Sequence, residues 1–566
     1  MDRVTESLIN DYLTAFTIER KREDIDFEKF VCYAIVSKEY PETFDIENVW
    51  VGESPSIDGI AIMLNGRLIE DTEEIKDLLE INKVLEAKFV FIQAKTTSGF
   101  DGPEINNFGF GVKDCFNVSP KLTHNDVVKK KITIISEIYK NSGAMTRGLP
   151  ECKLFYVTTG IWGNDANLVA RLNSVKEDLQ GLNLFSKVLV TPLGAKEIQE
   201  YYYESKRELS VEVTFSNKLL MSQSMDGISE AYIGLLPYSE FSKLIIDANG
   251  NLRPVFYDNV RAFQGDNEVN KDIQGTVSSS KASLFAVLNN GITIVAKSIT
   301  VASNRVTLRN YQVVNGCQTS HVIYNNRTAT EIQSVWIPIK LIVTNTEDVT
   351  NEIIKATNNQ TPVKAEELAA LSQFQKDLEA YYKTFTGDDQ LHYERRSKQY
   401  ANDSAINKGR VITIPIQIKV FAAMFLDVPH KVGRYYGTIA REVGADIFHP
   451  THKLMPYFTS ALAYYHLENL FRAGRIESKY KNCRFLLLFA FRGLIIGFTP
   501  LHFNSQEIDE KCNNMITILN NDQECFNIFN KACVLLDSLL LDYNDRDNFK
   551  KQTTTEGLKR KIISGG

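Results

Sequence analysis

Residues 26–37, "DFEKFVCYAIVS", set Phe27, Phe30, Val31, Ala34 and Ile35 at i, i+3, i+4, i+7 and i+8, the spacing of one apolar helix face. Glu28 falls at the edge of that face. The period then changes. "SIDGIAIML" reads as a strand with Gly59 inside it, residues 70–88 as an acidic helical connection, and "FVFIQAK" as a second strand. Gln93 and Lys95, two residues apart, share one face of that second strand. An amide and an ammonium thus stand side by side on a segment whose other residues look buried.

The alternation continues with a helix at "VVKKKITIISEIYK", a strand at "KLFYVTTG", a helix at "NDANLVARLNSVKEDL", a strand at "KVLVTPLG" and a helix at "AKEIQEYYYES". Strand and helix in turn predict an α/β layer, a mixed sheet with helices on its faces, closing near residue 205. From 206 to 365 the pattern becomes β-rich: "SVEVTF", "NGITIVAKSITV", "NRVTLRNYQVV" and "VWIPIKLIVT" are β-branched runs broken by Asn-Gly and Asn-Arg turns. From 366 to 566 helical periodicity dominates, as in "IPIQIKVFAAMFL", "KLMPYFTSALAYYHLENLFRA" and "QECFNIFNKACVLLDSLLLDY". The expected architecture is multidomain, α/β then β-rich α+β then helical.

Composition narrows the class without naming a reaction. The chain has 566 residues, 43% hydrophobic and 24% charged, enough for about two to four soluble domains. A net charge of -6 gives no global basic footprint, so a nucleic-acid partner has to be met by a local patch. Eight cysteines contain no CxxC pair, which argues against a zinc ribbon or a disulfide framework and for reduced thiols in the cytoplasm. The N-terminal "MDRVTESLINDYLTAF" lacks the apolar core of a signal peptide. The most apolar stretch, from Cys483, is interrupted by Arg484, Arg492 and Pro500, so it reads as a buried helix and no membrane role is expected. The terminal "KRKIISGG" is expected to fray.

If the two early strands are neighbours, Asp58, Gln93 and Lys95 meet Glu28 at one end of an apolar sheet. Charges near apolar surface are costly unless they pair or bind an ion. A helical Glu, then "SIDGIAI", then "FIQAK" resembles the PD-(D/E)xK nuclease superfamily, in particular its Mrr-like branch, in which Gln replaces the second acid. The resemblance covers residues 20–205. It implies a restriction-endonuclease-like domain with Glu28, Asp58, Gln93 and Lys95 as catalytic residues. It also implies Mg2+ or Mn2+ held by Asp58, Gln93 and the carbonyl of Ala94, with Lys95 holding the attacking water or stabilising charge on the phosphate, and Glu28 orienting the water or contributing a second carboxylate. Gln93 carries one negative charge fewer than the commoner Glu or Asp, which leaves the number of metal ions open. The bland alternative is a solvated edge strand with Asp58 as a turn residue.

Asn315-Gly316 closes a strand, and Gln318, Thr319 and Ser320 fall in the first turn of the next helix, where free N–H groups suit an anion. "NVRAFQGDNEVNKDIQGT", "FAVLNNGITIV", "YQVVNGCQTS" and "IIKATNNQTPVKAEEL", in that order over residues 250–370, resemble the AIPR family, named for abortive phage infection. The Asn-Gly-x-Gln-Thr turn is also similar to the Asp-Gly-Gln loop of DGQHR proteins. A nucleotide or nucleic-acid phosphate at Asn315, Gly316, Gln318 and Thr319 is the ligand expected, with Arg261, Asn290, Asn358, Asn359, Arg395 and Arg396 as partners. The competing reading is a buried hydrogen-bond network.

His449 with His452 has no third ligand to complete a metal set, and Cys317 with His321 reads as buried packing before a nucleophile and base. Lys129 to Lys131 and the run "ERRSK" are usable phosphate contacts, though such runs are usually solvated. The resemblances together imply an anti-phage defence effector, a metal-dependent endonuclease that acts on DNA in preference to RNA. They imply a homodimer for duplex cutting, a trigger and a partner defence protein. The alternatives are a nuclease acting on RNA and a regulator that binds nucleotide or nucleic acid without catalysis.

Overall fold

In this computed structural model the described residues are 1–565 except 41, 55, 207–208, 222–224, 248–249, 251, 254, 257–267, 359–372, 396–398, 401–402, 404, 435, 444–445 and 544–545. The chain forms two compact units, one of Met1–Lys206 with Ser372–Gly566 and one of Arg207–Leu371. It is mixed α/β, with a run of helices toward the C-terminus.

The first unit opens with helices α1 (Arg3–Ala15) and α2 (Glu23–Glu39), strands β1 (Gly59–Leu64) and β2 (Arg67–Leu68), helix α3 (Thr72–Asn82) and strand β3 (Ala87–Lys95). Helices α4 (Gly102–Asp114) and α5 (Asp126–Lys140) lead to β4 (Glu151–Thr158), and α6 (Ala166–Gln180) leads to β5 (Lys187–Leu193) and α7 (Ala195–Lys206). The five strands lie in the order β2-β1-β3-β4-β5. β1 runs antiparallel to β3, whereas β3, β4 and β5 are parallel.

Alternation along β3 assigns its faces. Phe89 and Phe91 pack with Ile105 and Phe108 of α4 and Leu172 of α6. Val90, Ile92 and Ala94 pack with Phe27, Phe30 and Val31 of α2 and Ile198 of α7. By the same alternation Gln93 and Lys95 lie on the Phe89 face, as the two-residue spacing predicts. The apolar face read from residues 26–37 is buried throughout. Asp58, expected inside its strand, sits one position before β1.

The second unit contains β6 (Ser210–Thr214), β7 (Asn217–Leu220), β8 (Glu230–Pro237), α8 (Tyr238–Ile245), α9 (Glu268–Val277), α10 (Phe285–Leu288), β9 (Ile292–Ala302), β10 (Arg305–Asn315), α11 (Cys317–Asn325), β11 (Trp336–Val343) and α12 (Glu347–Asn358). Its sheet has the order β6-β10-β9-β11-β8-β7. The β-branched runs correspond to β6, β9, β10 and β11. β7 and β8 have no counterpart in the sequence pattern, because "NKLL" and "EAYIGLLP" carry no clean alternation.

The C-terminal part of the first unit comprises α13 (Gln373–Tyr382), β12 (His392–Glu394), β13 (Val411–Thr413), α14 (Ile414–Phe425), α15 (Tyr436–Val443), α16 (Met455–Arg472), α17 (Arg484–Ile496), α18 (Gln506–Leu519), α19 (Asp522–Asp537) and α20 (Gln552–Gly565). The apolar stretch from Cys483 is the buried α17, and among the described residues no helix is long and apolar enough to cross a membrane. The tail expected to fray is helical instead. Leu558 and Ile562, one turn apart, are buried in the core and hold α20 down.

Ion pairs join this part to the N-terminal sheet. Asp71 beside α3 meets Lys550 at 2.7 Å, Glu74 meets Lys419 at 3.4 Å and Asp77 meets Arg434 at 3.0 Å. The acidic character of residues 70–88 thus serves docking. Glu47 is clasped by Lys29 at 2.6 Å and Lys481 at 3.2 Å; burial opposes its charge, but the two ammonium groups win and hold its carboxyl down at about 2. A folded value below the unfolded one stabilises the fold above about pH 4.5, and that contribution is lost as pH falls toward 2. Glu47→Ala, which leaves the buried Lys29 without its carboxylate, is expected to cost about 2–3 kcal/mol at pH 7 in chemical denaturation, with the difference shrinking in acid.

Candidate functional site

Asp58 is fixed by its backbone before its side chain does anything. Its N–H donates to Ile92 O at 2.9 Å and its carbonyl accepts from Val51 N–H at 3.0 Å. Gly59 pairs with Ile92 across the antiparallel ladder, and a Cβ on Gly59 would lie 2.4 Å from Cys32 Sγ of α2. Only glycine lets helix and strand approach this closely. The register sets Asp58 beside Gln93, and Asp58 Oδ2 accepts the Ala94 N–H at 2.7 Å.

Asp58 and Gln93 are 8% and 3% exposed. Gln93 Oε1 is buried and has no hydrogen-bond partner, a cost that a native fold rarely leaves uncompensated. Burial first, and then the charge of Glu28, push the Asp58 carboxyl up to about 7. Glu28, half-buried on α2, has its own carboxyl raised by burial, while its Oε2 accepts Trp50 Nε1–H at 2.9 Å. Lys95 follows at the end of β3, opposite Thr158 of β4, and its ammonium pairs with Glu104 Oε2 at 2.8 Å. The four residues singled out from sequence therefore gather at one end of the first sheet.

The donor set suits a hard divalent cation: the carboxylates of Asp58 and Glu28, an amide oxygen with no partner, and neither thiol nor imidazole among the four. Among the described residues no group of three or more His, Cys, Asp or Glu is arranged to hold a metal. Sequence reading passed over Glu104. Its signal was the spacing of Asp101 and Glu104, an N-cap followed three residues later by an acid, and Asp101 Oδ1 indeed accepts Glu104 N–H at 2.9 Å.

In the second unit the Asn290 and Asn315 turns meet at one end of the sheet, since Thr293 at the start of β9 pairs with Asn315 at the end of β10. Gly316 has φ of 93° and caps α11, and a Cβ there would lie 2.7 Å from Ile292 Cγ1. Gln318 Oε1 accepts Asn270 Nδ2–H at 2.9 Å, and Ser320 Oγ–H donates to Gly316 O at 2.9 Å. Gln318 thus takes part in a structural contact between α9 and α11. Thr319 stands beside it in the first turn of α11. Arg395 belongs to the other unit, where it is buried and its Nε pairs with Glu379 at 3.0 Å. Arg261, Asn359, Arg396 and the Asn358 side chain lie outside the described residues.

The smaller candidates resolve into structure. All eight cysteines are free and buried, and burial pushes the Cys317 thiol up to about 12, far from a nucleophilic thiolate. His452 contacts Tyr457 Oη at 3.0 Å. Lys131 is buried and donates to Asn48 O at 2.6 Å, whereas Lys129 is exposed beside Asp126. A cavity of about 30 Å³ bounded by Phe16, Tyr33, Phe44, Glu394 and Lys408 has room for water and not for a nucleotide.

The family model described as AIPR protein matches residues 256–532, which supports the AIPR family. No curated protein matches the chain, and no solved structure does.

Because the folded Asp58 holds its proton up to about pH 7, its contribution to stability is fully present below about pH 4 and is lost as pH rises through 7. Asp58→Asn is expected to raise the melting temperature by several degrees at pH 8 in chelator and to change it little at pH 4. Equal melting at pH 8 would show that the carboxylate is not strained in the fold.

Proposed function

We propose, with the AIPR match as premise, that this chain is an anti-phage defence effector whose N-terminal sheet carries a metal-dependent nuclease site acting on DNA. One observation carries the reading: Gln93, whose buried Oε1 has no partner, adjoins Ala94, whose N–H the buried Asp58 carboxyl accepts, with Lys95 on the same strand face. Such an arrangement is costly in a fold that has no ligand for it. The order of helix, antiparallel strand pair and two parallel strands around the site also agrees with the resemblance to the PD-(D/E)xK superfamily.

Asp58 and Gln93, with the main-chain carbonyl of Ala94, would hold Mg2+ or Mn2+. When bound, the ion supplies positive charge against the phosphate and acidity to a water. Asp58 is presented by its bond from Ala94 N–H, so its carboxylate needs little reorganisation to act as a ligand. Lys95 brings an ammonium to the negative charge that develops on the phosphate. Glu28 is anchored by Trp50 and raised by burial, and it is suited to orient a water and to take its proton. In the second unit the turns at Asn290 and Asn315 with the first turn of α11 are the proposed phosphate-binding element, a place for a nucleotide that controls the nuclease.

Plasmid nicking by the purified full chain tests this. Mg2+ or Mn2+ is expected to support nicking, chelator to stop it, and Lys95→Ala to slow it by about 100-fold or more. Linear product in addition to nicks would indicate two chains acting on one duplex. Equal cutting by wild type and Lys95→Ala would refute the catalytic assignment. Cutting of RNA and not DNA would move the substrate, and binding of nucleic acid with no cutting would favour a regulator built on this fold.

A further inference from the structure

The Gln93 position leaves the site one charge short, and the structure holds against Lys95 a carboxylate that the motif does not contain. Glu104 stands in the first turn of α4 and points at the strand end that carries Gln93 and Lys95, with its Oε2 at 2.8 Å from Lys95 Nζ. Its position is built. Asp101 caps the helix by accepting the Glu104 N–H at 2.9 Å. The cap sets where α4 starts and so where the Glu104 stem leaves the helix.

We infer that Glu104 is a further carboxylate of the Asp58–Gln93 site, a cation ligand held in reserve by Lys95 and released from it when a divalent cation enters. This rests on the reading of the site as a metal-dependent nuclease. The observation that points to a ligand is independent of Glu104 itself: the buried amide oxygen of Gln93 has no partner. Glu104 is also near enough for its charge to act on Asp58. Asp58, Glu104 and the Gln93 amide together offer the cation two negative charges and a neutral oxygen, the hard set that Mg2+ and Mn2+ prefer.

The Lys95–Glu104 pair is suited to exchange. Both side chains are partly exposed, 34% and 43%, and an exposed ion pair is held only weakly because water screens it. A divalent cation outcompetes a single ammonium for the carboxylate. The exchange then has a second consequence, since it frees the Lys95 ammonium for the phosphate at the moment the metal arrives. Without metal, Lys95 is neutralised by Glu104 and the site is at rest.

Mn2+ binding to the full-length protein, followed by calorimetry and by the loss of the free-ion electron paramagnetic resonance signal, separates the role of Glu104 from that of the site as a whole. Wild type is expected to bind Mn2+ and Asp58→Asn to lose binding. Glu104→Gln is expected to weaken binding by about tenfold or more. Lys95→Met is expected to tighten it, because the competing ammonium is gone, and the double variant Glu104→Gln/Lys95→Met is expected to lose that gain. Thermal melts of each variant show that it is folded. If Glu104→Gln binds Mn2+ as wild type does while Asp58→Asn does not, the role of Glu104 is overturned and the nuclease reading stands. If Lys95→Met weakens binding as Glu104→Gln does, the pair is merely structural and the role is likewise overturned. If Asp58→Asn binds as wild type does, both readings fall.

Discussion

The antiparallel pairing of Gly59 with Ile92 is the contact on which the first sheet's chemistry depends. It requires a residue with no side chain, because Cys32 of α2 occupies the space a Cβ would take. Given that contact, the Asp58 backbone is bonded to Ile92 and Val51 and its carboxylate to Ala94 N–H. A one-residue slip would send Asp58 to the opposite face, against the apolar α2 layer. Burial of Asp58 and Gln93 then follows from the sheet itself; burial raises the Asp58 carboxyl and leaves the Gln93 amide oxygen without a partner.

Charge connects this sheet end to the helical part of the same unit. Lys481 meets Glu47, Glu47 meets Lys29, Lys29 lies 4.3 Å from the centre of the Trp50 ring, and Trp50 bonds Glu28. Each link is a local contact with its own reason. Glu47 and Lys29 are paired where burial would otherwise penalise both, and Trp50 offers Lys29 its ring face and Glu28 its N–H. The acids beside and along α3 meet Lys550, Lys419 and Arg434, so the N-terminal sheet and the C-terminal helices form one body held by charge at its rim and by apolar packing within each part.

Much of the N-terminal layer was legible because its signals are short-range. A 3.6-residue period marked α2, a two-residue period marked β3 and put Gln93 with Lys95, and the turn residues bounded both. Glu28, Asp58, Gln93 and Lys95 come together as their spacing suggested. Among the phosphate-site residues the outcome was divided: Asn290 and Asn315 share a sheet end, whereas Arg395 is committed to Glu379 in the other unit. Nothing local in "YERRSK" separates an arginine that binds a ligand from one that completes a buried pair, because the distinction lies in Glu379, sixteen positions away.

By itself the sequence determined the strongly periodic helices and strands, α2 and β3 among them, and which polar residues sit on faces that ought to be apolar. Those are properties of backbone sterics and of side-chain period, fixed within a few residues. Tertiary structure alone decided that residues 372–566 fold back onto 1–206, that the C-terminal Lys/Arg segment is a docked helix, that β7 and β8 complete the second sheet, and that Lys95 meets Glu104. Each of these depends on which distant surface a segment finds, and burial and charge pairing are settled by that neighbour and not by the segment's own pattern.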